Sequence, residues 1–353
     1  MKGSTGGSRV ACNPEKLRAR RVTRYKQWTP QRLRSAGSYC QARIIGTAVH
    51  LGLFDWLGNK AKGARAATHH FGGTQEGWKI FLDALSAMGL LQKRAAGYEN
   101  SSSTLRYLCF GRGSFLLSDH DAWNVWGRLP DSLASGKRPK VAQPFFTERK
   151  RSERLLQSLD KDARKIAPYL MARLPLSRSK TLLDVGGGLG SFTIACCRRS
   201  PHLRGTIVEH PRVAALTSRA VKKAKIARRV QVMALDIVKG PLPRGFDLVL
   251  VSNVLHGQGV RENRVLLKSA YRSLNQGGRI VLRDVLMNRA GTHPEWGALF
   301  SVALFLHTPD GRCYALDEVR GWLRAAGFSG IKGPFRSSPL SFDPDSVLIA
   351  EKS

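Results

Sequence analysis

A run of glycines, three carboxylates near strand ends and one histidine are the residues of this chain whose types and spacing could do chemistry. Thr181-Leu-Leu-Asp184-Val-Gly186-Gly-Gly188-Leu-Gly190-Ser-Phe-Thr reads as a short apolar strand, a glycine-dense turn and the start of a helix. Glycine is needed where backbone turns tightly or lies flat against a ligand, because a Cβ would occupy that space. The first N–H groups of the following helix are open to ligand oxygens. Such turns at the carboxyl ends of strands are where open α/β sheets bind nucleotides. The order is Asp-x-Gly-x-Gly-x-Gly, and no Lys follows Gly190 to hold a triphosphate, which disfavours nucleoside triphosphate chemistry. Gly205-Thr-Ile-Val-Glu209 is a second strand ending in an acid, placed to accept hydrogen bonds from the two hydroxyls of a ribose. Val230 to Asp236 is a third such strand, and Phe246 to Ser252 a fourth. Any one of Asp184, Glu209 and Asp236 could be a helix cap or a turn former; three at one sheet edge favour a ligand site.

The fourth strand is near-continuously apolar from Leu248 to Val251, as a parallel strand buried on both faces requires. Ser252-Asn253-Val-Leu-His256 then places an imidazole just past its end. With a pKa of ~6.5, an imidazole within hydrogen-bond reach can take the proton of a phenol whose own pKa is ~10. A histidine packed at the strand end, or capping the next helix, is the bland alternative.

In order and spacing these segments resemble the class I S-adenosylmethionine-dependent methyltransferases. They are most similar to the small-molecule O-methyltransferases that carry an N-terminal winged-helix dimerisation domain, a group including plant phenolic, acetylserotonin and bacterial polyketide enzymes. The resemblance covers residues 37 to 353. It rests on Leu183-Asp-Val-Gly-Gly-Gly-Leu-Gly190, Val208-Glu-His-Pro211, Ser252-Asn-Val-Leu-His256, Gly277-Gly-Arg-Ile-Val-Leu-Arg-Asp284 and Ala326-Gly-Phe328. It implies a Rossmann-like α/β fold: a seven-stranded, mostly parallel sheet preceded by a mainly α winged-helix domain. The cofactor implied is S-adenosyl-L-methionine, leaving as S-adenosyl-L-homocysteine, with no metal. Cofactor contacts are implied for Asp184, Gly186, Gly188, Gly190, Glu209, Asp236, Ile237, Ser252 and Asn253. His256 is the implied base and Asp284 its orienting partner. Trp126, Phe146, Phe300 and Leu304 fall where relatives line the acceptor pocket. The chain departs from the plant pattern in two places. His256-Gly257-Gln258 replaces His-Asp-Trp, and Cys313 stands at the position of the second orienting glutamate, where a neutral thiol could not serve.

The 353 residues suffice for two domains and a sizeable core. No apolar run approaches the ~20 residues that span a bilayer. No signal-peptide apolar stretch follows Met1. The six cysteines show neither zinc spacing nor a disulfide framework, which fits thiols in a reducing cytoplasm. No carboxylate cluster reads as a magnesium site. The formal charge of +33 would draw any polyanion nonspecifically, but the cations are spread and form no reading head.

Four regions are expected. Residues 1–36 are a basic tail with no apolar period, expected to be disordered; an organelle transit segment, or a start codon placed too far upstream, would have the same composition. Residues 37–108 carry helices around Ala42 to Leu57, Ala64 to Phe71 and from a Thr74 cap to Met88, then a hairpin. Three helices and a hairpin make a winged helix, and its third helix lacks the Arg/Lys density that phosphate contacts require. That favours the family's use of the module, dimerisation, over DNA reading. Residues 109–174 are a helical linker with an aromatic stripe at Trp123, Trp126, Leu129 and Leu133. Residues 175–353 are the methyltransferase domain, with an apolar helix from Glu295 walling the acceptor pocket. The expected activity is methyl transfer to a hydroxyl of a small aromatic or polyketide-like acceptor. C- or N-methylation on the same scaffold is the second reading, and a DNA-binding regulator with an inactive methyltransferase domain the third.

Overall fold

A computed structural model describes residues 39–110, 125–138, 149–339 and 345–353. The basic tail and Phe146 lie outside them, as does Trp123. The N-terminal part packs α1 (Tyr39–His50), α2 (Leu53–Leu57), α3 (Ala64–Phe71) and α4 (Gln75–Ala87) against the hairpin β1 (Leu91–Arg94) and β2 (Gly97–Asn100), followed by α5 (Ser102–Tyr107). Gly52, at φ +69°, splits what periodicity presents as one helix into α1 and α2. Thr74 caps α4 as its sequence predicts, its hydroxyl accepting from the Gly77 N–H at 3.1 Å. Leu53, Phe54, Leu82, Leu85 and Leu91 form a core of their own.

The helices α6 (Leu129–Ser135) and α7 (Arg149–Met171) lead into the sheet. There β3 (Thr181–Val185), α8 (Ser191–Arg199), β4 (Arg204–Glu209), α9 (Pro211–Lys223), β5 (Val230–Ala234), β6 (Phe246–Ser252), α10 (Val260–Ser273) and β7 (Leu274–Asp284) alternate. After the short β8 (Leu286–Met287) come α11 (Glu295–His307), β9 (Tyr314–Ala315), α12 (Leu316–Ala326), β10 (Phe328–Arg336) and β11 (Ser346–Lys352). The seven-stranded sheet runs β10-β11-β7-β6-β3-β4-β5, with β11 alone antiparallel to its neighbours. The mostly parallel Rossmann-like sheet expected from the sequence is therefore present.

Strand residues alternate between two apolar layers. Leu183, Val185, Val249 and Val251 pack beneath α10 and α12, while Leu182, Leu248 and Leu250 pack beneath α7, α8 and α9. Each of these side chains is almost wholly withdrawn from water, contributing ~1.5–3 kcal/mol. This double burial explains the absence of polar residues at the centres of β3 and β6 and makes the sheet a stiff platform for the loops at its carboxyl edge. None of the described helices is long and apolar enough to cross a membrane.

Candidate active site

The glycine-rich turn leaves β3 with Gly186, Gly188 and Gly190 all at positive φ (+69°, +58° and +80°). At Gly190 a Cβ would also stand 2.6 Å from Ile207 Cδ1, and at Gly186 2.9 Å from Val254 Cγ2. The turn is tied back by the Gly186 N–H donating to the Val208 carbonyl at 2.8 Å and by the Thr217 hydroxyl donating to the Gly188 carbonyl at 2.6 Å. Glu209, at the end of β4, accepts from the Gly188 N–H at 2.7 Å and from its neighbour His210 N–H at 2.8 Å. Burial pushes the Glu209 carboxyl up to about 7, against the pull of these two bonds.

Asp184, expected among the cofactor residues, is enclosed beneath the loop and only 1% exposed. It accepts from the Thr193 hydroxyl at 2.7 Å, and burial raises its carboxyl to about 6. It acts from below, pinning the first turn of α8 to β3. Asp236 follows β5 half-buried, accepting from the Val238 N–H at 3.1 Å and pairing with Lys239 at 3.4 Å. Ile237 packs against the sheet core beside it. Ser252 closes β6, and Asn253 adopts φ +56°, a left-handed conformation that asparagine tolerates better than most residues.

A single 3₁₀ turn, Leu255–Gly257, carries His256. Asp284, at the end of the neighbouring β7, bonds the backbone of this turn and its imidazole at once. One carboxylate oxygen accepts from the backbone N–H groups of Leu255 (3.0 Å) and His256 (3.4 Å). The other accepts from His256 Nδ1 at 2.7 Å and from the Val285 N–H at 2.8 Å. Because a carboxylate only accepts, Nδ1 carries the hydrogen and neutral His256 presents an unprotonated Nε2. Nε2 meets no hydrogen-bond partner among the described residues. Burial pulls the His256 pKa down, but the charge and hydrogen bond of Asp284 outweigh it, and the net position is above the usual histidine value. The buried amide of Asn263 holds the turn from behind, donating to the Leu255 carbonyl at 2.9 Å.

Phe300 of α11 meets the His256 ring edge-on, centroids 5.1 Å apart, and its ring lies 4.7 Å from that of Trp296. Leu304, one turn on, is buried with Val285, Met287 and Cys313. The Cys313 thiol is pushed up to about 11 by burial, so it is neutral and supplies no second carboxylate to the imidazole. Trp126 is 40% exposed and Leu133 66%, so the aromatic stripe of this linker is open at these positions. Sequence reasoning missed Thr193, Asn263 and a buried pair between Arg283 and Asp345. The only signal for that pair was a charge inside the apolar run Ile280-Val-Leu-Arg283.

Residues 136–329 match the O-methyltransferase domain family. The chain is 31% identical over 309 residues to 3-hydroxy-5-methyl-1-naphthoate 3-O-methyltransferase of Streptomyces sahachiroi, covering 85% of this chain and 89% of that protein. The chain belongs to this family. It is an S-adenosyl-L-methionine-dependent O-methyltransferase by descent. The family is not uniform in acceptor atom: the N,N-dimethyltransferase OxyT of Streptomyces rimosus is 26% identical over 304 residues, covering 82% of this chain and 88% of that one. Among solved structures, PigF with S-adenosyl-L-homocysteine shares the fold at a TM-score of 0.82 and 22% identity, with 92% of this chain and 100% of that one covered.

The residues present fit the family's cofactor. Gly186 to Gly190 give a stretch with a single side chain, Leu189, and Glu209 spends two of roughly four lone-pair positions on backbone, leaving two for a ribose diol. Bound there, S-adenosyl-L-methionine supplies an electrophilic methyl on a sulfonium. Among the described residues no group of three or more His, Cys, Asp or Glu side chains could hold a metal ion.

Proposed function

We propose that this O-methyltransferase methylates a hydroxyl of a small aromatic or polyketide-like acceptor, with His256 as general base and Asp284 as its orienting partner. The observation that carries the reading is the 2.7 Å bond from His256 Nδ1 to Asp284, which leaves Nε2 to take the proton of the acceptor. Asp284 also stabilises the imidazolium once that proton has moved. Phe300 and Trp296 offer an aromatic wall beside the imidazole, suited to a flat acceptor. The naphthoate acceptor named for the Streptomyces sahachiroi relative supports the same acceptor class. The glycine turn, Glu209, Asp236, Ile237, Ser252 and Asn253 form the cofactor site in this reading.

The N-terminal unit acts as a pairing module between two copies. On its α4 face Asp83 accepts from Lys79 (2.9 Å), Lys93 (2.7 Å) and the Tyr98 hydroxyl (2.8 Å), so these cations are engaged with an acid rather than offered to phosphates.

Incubation with S-adenosyl-L-methionine and a panel of naphthoates and phenolic polyketides, read by mass spectrometry, tests the function. His256→Ala is expected to lower turnover by ~10²–10⁴ while S-adenosyl-L-homocysteine binding is retained. Wild-type turnover in that variant would remove the base from the mechanism.

A further inference from the structure

Adjacent residues on a strand face opposite sides of the sheet, so Arg283 points away from the face on which Asp284 meets His256. Arg283 is 4% exposed, and its guanidinium is paired with Asp345, itself 2% exposed, immediately before β11. Nη1 donates to the Ser252 hydroxyl oxygen at 3.1 Å. The guanidinium also lies 5.7 Å from the ring of Phe192 in the first turn of α8. It therefore links the end of β6 with the helix that follows the glycine loop.

As a stabiliser this pair is poor. Nε of Arg283 meets no acceptor among the described residues, and a buried pair so incompletely served is often matched by apolar side chains of similar size. Its chemistry toward Ser252 is one-sided, however. A guanidinium can only donate, so the lone pair of Ser252 facing Arg283 is occupied and the hydroxyl hydrogen must point elsewhere. No acceptor for that hydrogen lies among the described residues. Ser252 is only half-buried and stands one residue past Val251, which is in register with Val185 just before Gly186.

We propose that Arg283 is a positioning residue that pins Ser252 so that its hydroxyl donates into the cofactor site, toward an acceptor atom of the bound S-adenosyl compound. Asp345 holds the guanidinium in place from the start of the last strand. The inference rests on the assignment of the cofactor site to the glycine turn and the end of β6.

The test is a double-mutant cycle read by calorimetric titration with S-adenosyl-L-homocysteine. Ser252→Ala is expected to raise Kd about tenfold in the otherwise unaltered chain, the loss of one oriented hydrogen bond. In a chain whose pair is replaced by Arg283→Met with Asp345→Asn, the same change is expected to raise Kd less than about twofold, because the hydroxyl is no longer aimed. Arg283→Lys keeps the charge without the planar fork. It is expected to match the loss of Ser252→Ala, which preserves the comparison if the doubly replaced chain does not fold. Equal losses in both backgrounds, or wild-type affinity in Ser252→Ala, would overturn the inference. Absence of binding by the unaltered chain would instead defeat the site assignment beneath it.

Discussion

Asp284→Asn is the substitution that most directly probes the His256 arrangement. The carboxylate receives four hydrogen bonds, from His256 Nδ1, Val285 N–H, Leu255 N–H and, at 3.4 Å, His256 N–H. An amide has one accepting oxygen, so either the imidazole or the turn must face an NH₂ group. The charge-assisted bond to the imidazolium contributes ~1.5–3 kcal/mol, which becomes roughly a 10- to 150-fold loss in turnover if it is realised only as the proton moves. The pH dependence carries a sign as well. The base must be neutral to act, so the rate rises with pH through the His256 pKa, which Asp284 holds above the ordinary histidine value. Removing that charge leaves burial as the largest influence, opposed by the lesser pull of Asp345, and moves the inflection to lower pH. Turnover against pH, with the His256 ring titration followed by NMR, reads both quantities. Retained S-adenosyl-L-homocysteine binding would show that the fold survives. Turnover within about threefold of wild type, or an inflection that stays or rises, would refute the assignment.

Glu209 and the glycine turn yield two further predictions. With its carboxyl near 7, Glu209 is partly protonated at neutral pH, and ribose hydroxyls favour its charged form, so S-adenosyl-L-homocysteine binding at pH 7 should release about half a proton. Titration in buffers of different ionisation heat measures this, and proton uptake would contradict it. The same raised carboxyl binds more protons folded than unfolded between 4.5 and about 7. Ligand-free stability should therefore fall as pH rises through that window, by on the order of 3 kcal/mol at full effect, visible in denaturant melts. Gly190→Ala combines a left-handed backbone with a contact on fully buried Ile207 and should cost ~2–4 kcal/mol in the same melts. Gly321→Ala, mid-helix with no atom within 4 Å of the added carbon, should instead stabilise by ~0.5–1 kcal/mol; a loss there would show that steric room is not what separates the two sites.

What sequence made legible was whatever depends on local periodicity and on backbone geometry. The apolar strands, the glycine turn, the Thr74 cap and the stop of α12 at Gly327 (φ +108°) all follow from neighbours a few residues apart. The placement of His256 beside Asp284 followed from the resemblance, because the two are brought together only by the pairing of β6 with β7. The direction in which a strand-end acid points was not legible. Asp184 and Glu209 look alike in sequence, yet one turns under the loop to Thr193 while the other stays against Gly188. Arg283 and Asp345 are 62 residues apart, and their meeting depends on the antiparallel register that sets Asp284 opposite Ser346. Trp126 and Leu133 show the complementary limit: spacing says which side chains share a face, not whether anything covers them.

The placement of β11 bears on how the enzyme comes into being. This strand is the final one along the chain, yet it threads between β7 and β10 instead of adding to an outer edge. On the ribosome, then, two strands must wait with unmet backbone groups until residues 346–352 emerge, and the carboxylate that neutralises a guanidinium inside the sheet is delivered in the same late step. Completion of this half of the sheet is thus deferred until after β10 has been made. A chain cut before residue 346 would lack the wedge that joins the sheet's two parts, leaving exposed edges open to aggregation or capture by chaperones.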